Sequence, residues 1–144
     1  MLKMAVCCFR RRKGRTMEDR IEEEFRQIRE IIEKSLVGET VYTLAQSKPN
    51  HIVDADEEGL TVRAHTESKV GWKLVRAVYR AAVHLGEIGK KDVQQGEFAD
   101  PRVYRCAFIF PLLARFAHIE SRTNPLGLIY DEPHEAIRLS RDGQ

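Results

Sequence analysis

Lys69-Val70-Gly71-Trp72-Lys73-Leu74-Val75-Arg76-Ala77-Val78-Tyr79-Arg80-Ala81-Ala82-Val83-His84-Leu85 is the stretch on which the fold of this chain turns. Lys69, Lys73, Arg76, Arg80 and His84 recur at steps of four, three, four and four, which lays a basic stripe along one side of a helix. Val70, Leu74, Ala77, Val78, Ala81 and Leu85 form an apolar stripe beside it, widened by Trp72, Val75, Tyr79, Ala82 and Val83. Trp72 and Tyr79 are expected in the core, because burying such rings is strongly favourable. Gly86 follows as a natural left-handed cap. No acidic residue lies between Lys69 and Gly86, whereas a solvated face ordinarily interleaves glutamates for i,i+4 pairs. The stripe therefore has two readings. It is a plain solvated face, or it tracks a phosphate backbone, where each neutralised phosphate releases a counterion.

The charge distribution frames that choice. The 144 residues carry 24 Lys and Arg against 22 Asp and Glu, a net charge of +2. Residues 1–16 hold six basic residues and no acid, 17–60 five basic and twelve acidic, 61–115 ten and five, and 116–144 three and five. A basic middle thus sits in an otherwise acidic body. The length predicts one domain, and 42% hydrophobic residues argue against wholesale disorder. No apolar run approaches the ~18 residues of a membrane span. Three cysteines, two of them adjacent (Cys7, Cys8), cannot form a secreted disulfide framework, so a cytoplasmic protein without a membrane partner is expected. Residues 1–16 read as a disordered basic leader, with Met17 as an alternative start. Residues 17–130 read as the domain, and 131–144 as a polar tail that frays.

Upstream of the stripe, Met17, Ile21, Phe25, Ile28, Ile32 and Leu36 share one helical face, with Thr16 and Asp19 able to form a capping box and Glu22/Arg26 an i,i+4 pair. Ile21, Phe25, Ile28 and Ile32 could join two copies of the chain or pack on the chain's own domain. Residues 41–44, 51–55 and 60–64 then read as a small three-stranded antiparallel sheet, with Gly59 suited to positive φ at the end of the Asp56-Glu57-Glu58 turn.

Downstream, Leu85 to Val93 reads as helix end, a tight turn with a buried Ile88, and a short second helix. Asp100 and Pro101 open a third, running from Arg102 through Phe116 with a kink at Pro111. Arg102, Tyr104 and Arg105 stand at its start. Three helices, the second short and the third basic at its start, suggest a helix-turn-helix, whose recognition helix offers its first residues to base edges. Leu126 to Tyr130 could add a closing strand, as in a winged variant. The whole is an α+β domain: an N-terminal helix, the sheet, then a helix-turn-helix-like cluster.

The stretches Gly38-Glu39-Thr40-Val41-Tyr42-Thr43-Leu44 through Lys48-Pro49-Asn50-His51-Ile52, and Tyr104-Arg105-Cys106-Ala107-Phe108-Ile109 with Leu112-Leu113-Ala114, carry a resemblance. Over roughly residues 38–130 the chain resembles a poorly characterised family of small bacterial modules found beside restriction-type nucleases and helicases. The resemblance implies DNA-associated work without a known catalytic set.

One constellation would make an enzyme. Asp54 ends the second strand and Glu67-Ser68-Lys69 follows the third, an order found in metal-dependent nucleases. Two carboxylates would hold Mg²⁺ and the lysine would orient water. The competing reading makes Asp54 a turn residue and starts a helix at Thr66-Glu67-Ser68. The histidines (His51, His65, His84, His118, His134) show no zinc-like spacing. Cys106 reads as a buried, inert thiol, or as one activated by Arg102 and Arg105. The expectation is therefore a non-catalytic DNA-binding or accessory protein without a cofactor. Lys69, Lys73, Arg76 and Arg80 would lie on phosphates, with Arg102, Tyr104 and Arg105 near base edges. Its expected partner is DNA, beside a second copy or a larger nuclease or helicase.

Overall fold

Thr16 starts the first helix as its sequence suggests. Its hydroxyl accepts the Asp19 N–H at 3.0 Å, and the Asp19 carboxylate takes the Thr16 N–H at 3.2 Å, a reciprocal capping box. The computed structural model describes residues 16–95 and 106–140; Arg102, Tyr104, Arg105 and the leader up to residue 15 lie outside them. Helix α1 (Met17–Ile31) continues through a π-helical turn, Ile32–Leu36. Its apolar stripe does not face a second copy. Ile21, Ile28 and Ile32 are fully buried and Phe25 nearly so, all within the chain's own core. The self-association expected of these four residues is thereby corrected: side chains already removed from water by their own domain have no apolar area left to bury in a dimer.

Four strands follow, not three. β1 (Thr40–Tyr42), β2 (Pro49–Ala55), β3 (Gly59–Arg63) and β4 (Glu67–Gly71) form an antiparallel sheet in sequential order. The helix expected from Lys69 begins only at Trp72, with Gly71 as N-cap. Residues 67–70 alternate, exposing Glu67 and Lys69 and burying Val70 opposite Leu60. Period two prevails because β4 satisfies the backbone of β3 along its second edge. Gly59 also differs from expectation. Its φ is not positive, and its requirement is space: a Cβ there would sit 2.1 Å from the Val70 carbonyl oxygen.

Helix α2 (Trp72–Leu85) buries Trp72, Val75, Val78, Tyr79, Ala81, Ala82 and Val83 against α1 and the sheet. Gly86, at φ +80°, ends it as expected, its N–H reaching the Ala82 carbonyl at 2.8 Å. The chain then forms β5 (Glu87–Gly89), α3 (Lys90–Gln94), α4 (Cys106–Leu113), β6 (Ile119–Thr123) and β7 (Leu126–Tyr130). The three strands make a second antiparallel sheet in the order β5-β7-β6. Thus α2 and α3 are joined through a strand rather than the tight turn expected, with Ile88 buried on it. The expected closing strand is β7, with β6 as its hairpin partner. The architecture is mixed α+β with two antiparallel sheets.

Of the tail expected to fray, residues 132–140 are docked on the domain, and 141–144 lie outside the described residues. Ile137 is buried, Ala117 N–H bonds the Arg138 carbonyl at 2.9 Å, and Ser140 N–H bonds that of Arg115 at 2.7 Å. Two apolar side chains, Ile137 and Leu139, dock an otherwise polar segment. Among the described residues no helix is long and apolar enough to cross a membrane.

Candidate nucleic-acid interface

The basic stripe of α2 meets carboxylates that the linear sequence keeps far away. α1 and α2 run antiparallel, so the acids of α1 descend as the cations of α2 rise. Arg76 donates to Glu22 twice, at 2.9 and 2.8 Å. Arg80 Nε reaches both oxygens of Glu18 at 3.1 Å, and His84 Nε2 lies 2.8 Å from the same carboxylate. Hydrogen bonds from Arg80 and His84 hold the Glu18 carboxyl below its ordinary range, and Glu22 raises Arg76 above its own. Lys69 is not on the helix at all; it lies on β4 and donates to Asp56. Lys73 is exposed, and among the described residues no carboxylate pairs with it. A continuous phosphate-tracking ridge is therefore corrected to an inter-helix seam in which Arg76, Arg80 and His84 meet carboxylates of α1, leaving Lys73 apart from them. Glu18 and Glu22, one turn apart on α1, were the sequence signal for it: they mirror Arg76 and Arg80, also one turn apart.

Beneath the seam lies a buried polar cluster that the sequence reading missed. Glu24 is buried on α1 and accepts from the Tyr79 hydroxyl at 2.5 Å and the Tyr130 hydroxyl at 3.0 Å. His118 Nε2 lies 2.9 Å from the Tyr79 oxygen. Tyr79 has one proton and gives it to Glu24, so His118 must donate from Nε2, which leaves Nδ1 bare. That Nδ1 is buried without a hydrogen-bond partner. Burial pushes the His118 pKa down to about 4 and raises both tyrosines above their ordinary value. The cluster ties α1, α2, the segment before β6, and β7 together. It is a fastening, since its groups bond to one another.

The nuclease constellation is not assembled. Asp54 of β2 faces Thr61, whereas Glu67 of β4 faces Arg63 and bonds it at 3.0 Å. β3 runs between their two strands, which at ~4.8 Å per strand spacing separates them by roughly 10 Å, too far to share one cation. Among the described residues no group of three His, Cys, Asp or Glu side chains could hold a metal. The Asp54, Glu67, Lys69 assignment is corrected accordingly, and Lys69 is occupied by Asp56. The side chain of Cys106 lies outside the described residues.

Among the cavities lined by described residues, four differ in their electrostatics. One beside His118 is rimmed by Asp131, Glu132 and Glu135. One under β1 includes Glu39, and one beside Trp72 includes Glu57 and Glu58. The fourth, of about 390 Å³, has no carboxylate among its described lining residues. Lys48, Pro49 and Asn50 form one wall, His65 of the β3–β4 turn another, and Ala107 with Phe108 of α4 the third. The β1–β2 loop presents Lys48 firmly: its N–H bonds the Thr43 hydroxyl and its carbonyl accepts the Thr43 N–H, both at 2.9 Å. Residues 43–50 and 107–108, far apart in sequence, meet here. Comparison with protein-family models, curated proteins and solved structures gave no match to this chain.

Proposed function

We propose that the chain is a non-catalytic DNA-binding or accessory module of a bacterial DNA-processing system, working in the cytoplasm. It would meet the polyanion at the Lys48–His65 cavity and not along α2. The observation that carries this reading is the sign of that cavity: of the four described, it alone offers a lysine with no carboxylate in its described lining. Lys48 is exposed, and among the described residues no acid pairs with it. The described elements run α2-β5-α3-α4-β6-β7, with strands ordered β5-β7-β6, an order that a winged helix-turn-helix would have, and this supports the reading. In that arrangement α4 is the recognition helix, which presents its first residues to bases. Here Phe108 to Leu113 are buried in the chain's own core, so the body of α4 is closed to a groove. Only its start, beside Lys48 and His65, faces outward: Ala107 is exposed. Arg102, Tyr104 and Arg105, proposed for base edges, precede that start in sequence and lie outside the described residues.

Fluorescence anisotropy with a duplex, across about 50 to 200 mM salt, tests the reading. Binding that weakens steeply with salt, and about tenfold further in Lys48→Glu while Arg76→Ala leaves it unchanged, is the expected result. Absence of binding at the lowest salt, or loss with Arg76→Ala but not Lys48→Glu, would overturn it.

A further inference from the structure

The same cavity has the chemistry of a pocket for a single unpaired nucleobase, and we infer that this is what it takes, with the adjoining phosphate on Lys48. The inference rests on the nucleic-acid reading above and specifies which part of the polymer enters. A flat cationic patch would suffice for phosphates alone. This site is instead concave, and its volume of about 390 Å³ falls in the ~300–1,000 Å³ range of small-ligand sites. Exposed Pro49 and Ala107 supply apolar surface above the buried Phe108, while His65 adds an aromatic ring at the exposed edge. Aromatic and apolar walls suit the π-face of a base whatever its identity.

Asn50 supplies the polar element. Its side chain is almost wholly buried at 7% exposure, yet among the described residues its amide makes one hydrogen bond, a long one of 3.4 Å to the Lys48 carbonyl. The amide carbonyl and the second N–H remain for the donor and acceptor edge of a base. Lys48 stands at the same wall, two residues away, as a point charge for a phosphate. A fully stacked base cannot reach such a pocket, and extruding one costs a few kcal/mol, least where the base is already unpaired. The predicted ligand is therefore a duplex with a bulged or mismatched nucleotide, or a single-stranded end.

Two 20-base-pair duplexes separate the possibilities, one fully paired and one carrying a single bulged 2-aminopurine. The expected result is about tenfold tighter binding of the bulged duplex, with 2-aminopurine emission rising on binding. Ala107→Trp fills the cavity from an exposed position; it should abolish the preference, bringing the bulged duplex to the same affinity as the paired one. Ala64→Trp, on the opposite wall, provides a second filling variant, each checked by thermal melting. Equal affinity for both duplexes with unaltered emission, or a preference that survives both tryptophans, overturns the base pocket while leaving phosphate contact standing. If neither duplex binds, both readings are overturned.

Discussion

Glu22 and Arg76 stand 54 positions apart in sequence and close two parallel hydrogen bonds, Nε to Oε1 at 2.9 Å and Nη2 to Oε2 at 2.8 Å. This fork geometry is the arrangement in which a guanidinium recognises a planar acceptor, and here the acceptor belongs to the chain itself. With Glu18 engaging Arg80 and His84, the outer edges of α1 and α2 form a zipper of opposite charges above a shared apolar seam. The cations serve cohesion, modestly, since exposed pairs contribute ~0.2–1 kcal/mol each.

Removing the acids should release the cations. In the double variant Glu18→Ala, Glu22→Ala, the slope of log affinity for DNA against log salt is expected to stay as in the parent, because the polyanion is met at Lys48 and not along α2. Urea denaturation should register a loss of about 1 kcal/mol. A slope steeper by about two would mean that α2, once uncovered, does approach phosphate.

Tyr79→Phe tests the buried cluster. The variant keeps the ring, which packs edge-on against His118 and Tyr130, but takes away the hydroxyl that satisfies Glu24. Leaving a buried carboxylate with one fewer donor should cost ~1–3 kcal/mol. Tyr130→Phe, with the longer bond and more exposed ring, should cost less. Equal losses in chemical denaturation would contradict this ordering.

The same cluster sets a pH dependence. His118 has a folded pKa of about 4, below its ordinary 6.5, so the unfolded chain binds the extra proton between those values. Stability is fully present above pH 6.5 and declines as pH falls towards 4, by about 3 kcal/mol in all. Below about pH 4.5 the Glu18 contribution is lost too, because its carboxyl is held low in the folded state. Urea midpoints measured from pH 7.5 to 4.5 should fall, and His118→Phe should flatten the curve above pH 5. Nitrogen-15 shifts at pH 7 should report a neutral ring protonated at Nε2.

Gly59→Ala should destabilise by ~1–3 kcal/mol, since its methyl would collide with the backbone of Val70 and Gly71 and force two strands apart. Gly71→Ala is the control: its Cβ would meet the Glu58 carbonyl oxygen at 3.6 Å, an ordinary contact. A similar midpoint for both would refute the close-approach account.

The local signals in the sequence were dependable where one physical effect acted alone. Thr16 and Asp19 cap α1, Gly86 ends α2, and the i,i+3/i+4 stripe of Ile21, Phe25, Ile28 and Ile32 marks a buried face. What failed were inferences that needed to know the neighbour. Arg26 pairs with Glu23 and Glu30, freeing Glu22 for Arg76, and nothing within α1 announces that. Lys69 to Gly71 fit a helical period and a strand period equally well, and the pairing with β3 decides between them. The cavity was invisible for a related reason. Its walls come from residues 48–50, 65 and 107–108, joined by tertiary packing of the β1–β2 hairpin on α4.

The bond from Tyr130 to Glu24 spans 106 positions, which carries a consequence for the birth of the protein. At roughly 5–20 residues per second, Glu24 is polymerised some 5–20 seconds before the tyrosine that completes its buried cluster. Throughout that interval a nascent amphipathic segment lacks that hydroxyl, and the core around it can close only once Tyr130 has been made.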